Sequence, residues 1–192
     1  MKKTIAVTAL LLLFLSSNIH AQESKSTDWF FLKSVTTLKF TKTNTTHKID
    51  DFLFEAIWDE KLRKINDEKY SSGISELKIF RNGNLIQTIE NIKDKIGLGY
   101  IHFAFYDYNM DGHLDFTVPL NCGKSCYYHY YLFNPTTNNF EYQEQWDYLK
   151  VFKLNKVSKQ ILSVPEGTAS EGTQKRYKVE GFKLIEVETI HY

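Results

Sequence analysis

The sequence predicts an all-β domain of antiparallel hairpins, stacked in a propeller-like, sandwich or barrel arrangement. Three observations carry that expectation. Runs of aromatic and β-branched residues recur at short intervals from Trp29 to the C-terminus. Clusters rich in Asn, Gly, Pro and Thr separate those runs and supply turns. No stretch beyond residue 21 sustains the 3.6-residue period of a long amphipathic helix.

The chain opens with the positive Met1-Lys2-Lys3, an apolar run from Ile5 to Leu15, and the small and polar Ser16 to Ala21. That order is the pattern of a secretory signal peptide cut after Ala21. The apolar run is too short for a bilayer core of about 30 Å, and no Cys follows the cut to carry a lipid. The expectation is one domain over 22–192, exported to the periplasm or medium, with no membrane anchor. Losing Lys2 and Lys3 with the leader leaves 22 basic against 23 acidic residues, a formal net charge of −1. Lys and Glu are interspersed rather than gathered in a basic stripe, which argues against nucleic acid as a partner.

In chain order, Trp29 to Phe40 reads as a strand, Thr41 to His47 as a turn, and Ile49 to Trp58 as a returning strand. The charged segment Asp59 to Tyr70 reads equally as a short helix or a surface loop. Ile74 to Phe80 and Leu85 to Ile89 flank Arg81-Asn82-Gly83-Asn84, and Asn-Gly between apolar alternations marks a tight hairpin. Gly97 and Gly99 lead into the strand Ile101 to Tyr106. Tyr127 to Phe133 and Phe140 to Glu144 flank an Asn-Pro turn, and Tyr177 to Val187 folds back on itself as a final hairpin.

Between two of these strands lies Asp107-Tyr108-Asn109-Met110-Asp111-Gly112-His113-Leu114-Asp115. Oxygen-bearing side chains fall at positions one, three, five and nine, a glycine at six, and a backbone carbonyl serves at seven. This is the spacing of a calcium loop, because calcium takes six to eight oxygen ligands and the chain must turn sharply at the glycine. The candidate ligands are Asp107, Asn109, Asp111, the carbonyl of His113, and Asp115. Position twelve is Val118 rather than the bidentate Glu of an EF-hand, and the flanking residues read as strands. A shorter loop between strands is therefore expected; the competing reading is an acidic turn.

Cys122 and Cys126 follow closely, and an oxidising compartment makes a local disulfide the expected outcome. Three residues between them, with no second Cys pair, disfavour a redox motif or a zinc site. Catalytic use of the Asp cluster is disfavoured as well, since crowded carboxylates on one tight loop call for a neutralising cation. There is no nucleophile elbow, phosphate loop or His-Glu-x-x-His sequence, so no enzymatic activity is expected. The histidines are scattered; only His102 and His129 would meet, if their strands pair. Alternation places Tyr128 and Tyr130 on one face of their strand and Tyr127, His129 and Tyr131 on the other, with either set a possible core.

The Asp-rich loop, the strand Tyr130-Tyr131-Leu132-Phe133 and the turn Asn134-Pro135 before Phe140 together resemble a propeller-like family of exported bacterial proteins. That family contains immunity proteins against secreted peptidoglycan hydrolases, and its Asp-x-Asn-x-Asp-Gly-x-x-Asp loop is similar to those of integrin-type FG-GAP repeats. The resemblance is best over Gly99 to Ser163. It implies a calcium-stabilised periplasmic inhibitor that binds a lysozyme-like effector, with Ca2+ held by the loop residues named above. Lysozyme inhibitors of other folds use a Ser-Gly loop, so Ser72-Gly73, read as a loop before a strand, is the candidate partner-binding pair. The alternative function is a calcium-stabilised envelope module that binds glycan or a surface protein and has no enzyme target.

Overall fold

Apolar alternation builds the strands, and the residues between them decide which strands meet. The computed structural model describes residues 28–32, 35–63, 70–122, 126–168 and 171–192; the expected leader, residues 1–21, lies outside them. The strands are β1 (Trp29–Phe31), β2 (Thr36–Thr41), β3 (Thr46–Ile49), β4 (Phe52–Arg63), β5 (Tyr70–Arg81), β6 (Asn84–Lys93), β7 (Tyr100–Tyr106) and β8 (Asp115–Cys122). They continue with β9 (Cys126–Asn134), β10 (Asn139–Tyr142), β11 (Val151–Asn155), β12 (Gln160–Ser163), β13 (Glu166–Gly167), β14 (Gly172–Glu180) and β15 (Lys183–His191). A 3-10 turn, Glu144–Trp146, precedes β11. Among the described residues no helix is long and apolar enough to cross a membrane.

Among the described residues the fold is all-β and antiparallel, in three sheets of which none closes into a barrel. One sheet runs β3-β4-β5-β6, the central one β2-β7-β8-β9-β10, and the third β1-β11-β12-β14, with β13 and β15 also paired to β14. The expected Asn-Gly hairpin joins β5 to β6: Arg81 pairs with Asn84, and Asn82 and Gly83 take positive φ of 50° and 82°. The hairpins β9–β10 and β14–β15 also form where the sequence places them.

The central sheet is covered on both faces, as in two sandwiches sharing one layer. Phe103, Phe105, Phe116, Phe133 and Phe140 form one core with Phe52, Phe54, Ile74, Leu77 and Ile79 of the first sheet. Tyr130 and Leu132, from the alternate positions of β9, enter a second core with Trp146, Leu154, Ile161 and Val179. Polar ties supplement the packing. Gln87 of β6 both donates to the Phe140 carbonyl and accepts its N–H at 2.8 Å, satisfying backbone groups of the edge strand β10.

Three expectations are corrected. The run from Trp29 to Phe40 is two strands, because β1 pairs with β11 in the third sheet whereas β2 pairs with β7 in the central one. β2 does not form a hairpin with the next run: the chain leaves the central sheet through a turn in which Thr41 Oγ1 accepts the N–H of Asn44, and β3 pairs with β4 instead. Residues 59–63 and Tyr70 are neither helix nor loop, since β4 runs on to Arg63 and β5 starts at Tyr70; residues 64–69 lie outside the described set.

Candidate metal centre

The candidate calcium loop joins β7 to β8, and its alternation sorts its side chains. Tyr108 and Met110 are buried in the second core, where Tyr108 meets Tyr130 edge-on at 5.2 Å. Gly112 has φ 91°, a conformation that a side chain would strain, as its place in the motif requires.

The oxygen-bearing side chains turn back over the loop's own backbone. Asp107 accepts the N–H of Asp111 at 2.9 Å through Oδ1 and that of Gly112 at 3.2 Å through Oδ2. Asn109 Oδ1 accepts the same Asp111 N–H at 3.2 Å, and Asp111 Oδ1 accepts the N–H of His113 at 2.9 Å. Because one N–H points at both Asp107 and Asn109, their oxygens crowd together on one side of the loop. The Asn109 amide donates to Asp111 Oδ2 at 2.9 Å, so all three side chains belong to one cluster. Lys156 Nζ, on the turn after β11, lies 3.7 Å from Asp107 Oδ2 and supplies positive charge. The ring of His113 packs near Phe133, at 5.7 Å.

Asp115 plays a second part that the motif does not announce. It is fully buried, and its carboxylate accepts N–H groups from Tyr108 at 2.8 Å, Asn109 at 3.4 Å and Phe133 at 2.9 Å. It therefore straps the start of the loop to β9. Burial pushes its carboxyl well above the usual range, opposed by the N–H groups of Phe133 and Tyr108 and reinforced by the charge of Asp111.

Among the described residues, no three His, Cys, Asp or Glu side chains converge as a metal-binding group. The donors that do cluster are the carboxylates of Asp107 and Asp111 with the amide oxygen of Asn109. An all-oxygen set on a glycine-turned loop fits a hard cation such as calcium, and lacks the nitrogen or sulfur donors that zinc prefers.

Cys122 and Cys126 form the expected disulfide, clasping the paired ends of β8 and β9. Ser72 and Gly73 do not lie in a loop. They sit within β5, where Gly73 is buried and pairs with both Asp59 and Lys93. A Cβ at Gly73 would come 2.5 Å from the Ile92 carbonyl oxygen, so the glycine is there to let β6 approach. His102 and His129 do not meet, because β8 separates their strands. His129 instead lies 3.1 Å from the carboxylate of Asp147, which also accepts the hydroxyl of Tyr142 at 2.6 Å. That cluster escaped the sequence reading, since its members are distant in the chain and follow no motif spacing. No protein-family model, curated protein or solved structure matches this chain.

Proposed function

We propose that this chain is an exported, calcium-stabilised β protein with no catalytic role of its own, which binds and blocks a lysozyme-like, peptidoglycan-cleaving effector. The observation that carries the reading is the cluster of Asp107, Asn109 and Asp111, whose oxygens gather on one side of a loop already strapped to β9 through Asp115. A calcium ion bound there would neutralise the crowded carboxylates and stiffen the β7–β8–β9 unit, while leaving sheet edges and loops free for contact. The inhibitory role rests on the resemblance of the loop, the Tyr-rich β9 and the Asn-Pro turn to immunity proteins. Ser72-Gly73 is not carried into the proposal, since β5 places it inside a sheet.

The test is clearance of a peptidoglycan suspension by lysozyme-type hydrolases, including any encoded beside this chain, with the mature protein added in calcium. Stoichiometric inhibition of at least one such enzyme is expected. Undiminished clearance across the panel, with the protein folded and in excess, overturns the inhibitor reading.

A further inference from the structure

The segment from Gln143 to Lys150 connects β10 to β11 and is pinned on several sides. Trp146 is fully buried and its indole N–H donates to the Phe182 carbonyl at 2.7 Å. Asp147 is held by His129 and Tyr142, and Leu149 is buried in the second core. Between these anchors Tyr148 takes φ 64°, a left-handed conformation that is costly for a bulky side chain. The residue gains little burial in exchange, being 64% exposed. Strain that the surroundings enforce, and that leaves an aromatic ring displayed, points to a ligand rather than to packing.

Tyr148 lines a cavity of about 440 Å³, within the size range of small-ligand sites. Tyr127 lies beside it, the two ring centroids 5.2 Å apart at 62°, while Tyr177 and Leu184 line the same cavity. The charged groups here are paired. Lys150 Nζ sits 4.1 Å over the Tyr127 ring and 3.7 Å from Glu166, and Lys175 bonds Glu186 at 2.8 Å. With each ammonium matched by a carboxylate, the cavity has no positive field to draw a phosphate or nucleic acid. What it offers is hydrogen-bond donors and acceptors side by side, next to the exposed ring of Tyr148 and the half-buried Tyr127 and Tyr177. A sugar ring matches both features: its C–H face packs on tyrosine, and its hydroxyls both donate and accept.

We infer that this cavity is a binding site for a neutral oligosaccharide of pyranose units. It lies at the opposite end of the β11–β12 hairpin from the candidate calcium loop, lined by Lys150 and Ser163 where that loop approaches Lys156. The inference therefore does not rest on calcium or on enzyme inhibition.

The test is an NMR or calorimetric titration of the full mature chain with short oligomers of N-acetylglucosamine, β-1,4-linked glucose, α-1,4-linked glucose and xylose. At least one series should bind saturably, one to one, and shift the tyrosine resonances of the cavity. Tyr148→Gly tolerates the left-handed backbone and should keep the parent melting temperature while weakening binding about tenfold or more; Tyr127→Ala should weaken binding likewise, at some cost in melting temperature because it also removes the ring beneath Lys150. The inference is overturned if no oligomer binds at millimolar concentration, or if Tyr148→Gly binds as tightly as the parent. It is equally overturned if Tyr148 proves essential only for binding a protein, with every saccharide inert.

Discussion

Asp115→Ala isolates the strap between the loop and β9. The substitution takes the acceptor from the N–H groups of Tyr108 and Phe133, both bonded at short distance, and from the longer contact to Asn109. Each buried N–H left without a partner costs about 1–3 kcal/mol. Against that stands relief from burying a carboxylate, whose raised pKa records an unfavourable desolvation. Two buried N–H groups left unpaired cost about 2–6 kcal/mol together, and the relief brings the net into the lower half of that range, about 3 kcal/mol. For a chain of this length, that is a fall of roughly 6–12 °C in melting temperature. Thermal melts followed by circular dichroism in excess EDTA read it without any contribution from bound metal. A loss below about 1 kcal/mol would refute the reasoning, because it would mean that the loop holds its position on β9 without this carboxylate.

Other outcomes follow from the same structure. Gly73→Ala should destabilise by about 1–3 kcal/mol, as its Cβ would meet backbone atoms of Ile92 and Lys93 and push β6 from β5; urea denaturation checks it. Replacing Cys122 and Cys126 together by Ser should cost about 2 kcal/mol on the chain-entropy model, read by melts of the oxidised parent against the variant. Partial desolvation, then the charge of Lys39 across the β2–β7 ladder, holds the imidazole of the largely exposed His102 below its ordinary range. The unfolded chain then binds that proton more readily, so stability should fall as pH drops below 6.5 toward the depressed value, and His102→Gln should flatten that part of the profile.

Local chemistry made some of this legible in the sequence and not the rest. Asn82-Gly83 specifies its own hairpin because both residues accept positive φ, so neighbouring strands could be read without tertiary knowledge. The loop from Asp107 to Asp115 was visible as a pattern because its side chains bond within the same few residues. Which sheet a strand joins is a different question, as the run from Trp29 to Phe40 illustrates. Its apolar residues suit either core, and only the distant partners β11 and β7 divide it. On β9, alternation separated Tyr130 from Tyr131 correctly but left open which face was core, and in fact each face has one. The strap at Asp115 was hidden for the same reason. Its motif position names a metal, whereas its partner Phe133 lies on another strand.

The central claim is that the loop 107–115 binds calcium and thereby stabilises the fold. The measurement that tests it most directly is the melting temperature of the mature, disulfide-intact chain in EDTA, in magnesium and in calcium, alongside Asp107→Ala. Calcium at 100 times its dissociation constant stabilises by about 2.7 kcal/mol, a rise of roughly 5–11 °C. Asp107 accepts the N–H groups of Asp111 and Gly112 on an exposed turn and lies 3.7 Å from Lys156, so its loss should cost about 1–2 kcal/mol in EDTA and, beyond that, abolish the calcium-specific rise. An equal melting temperature in calcium and EDTA, or the full rise in Asp107→Ala, contradicts the account.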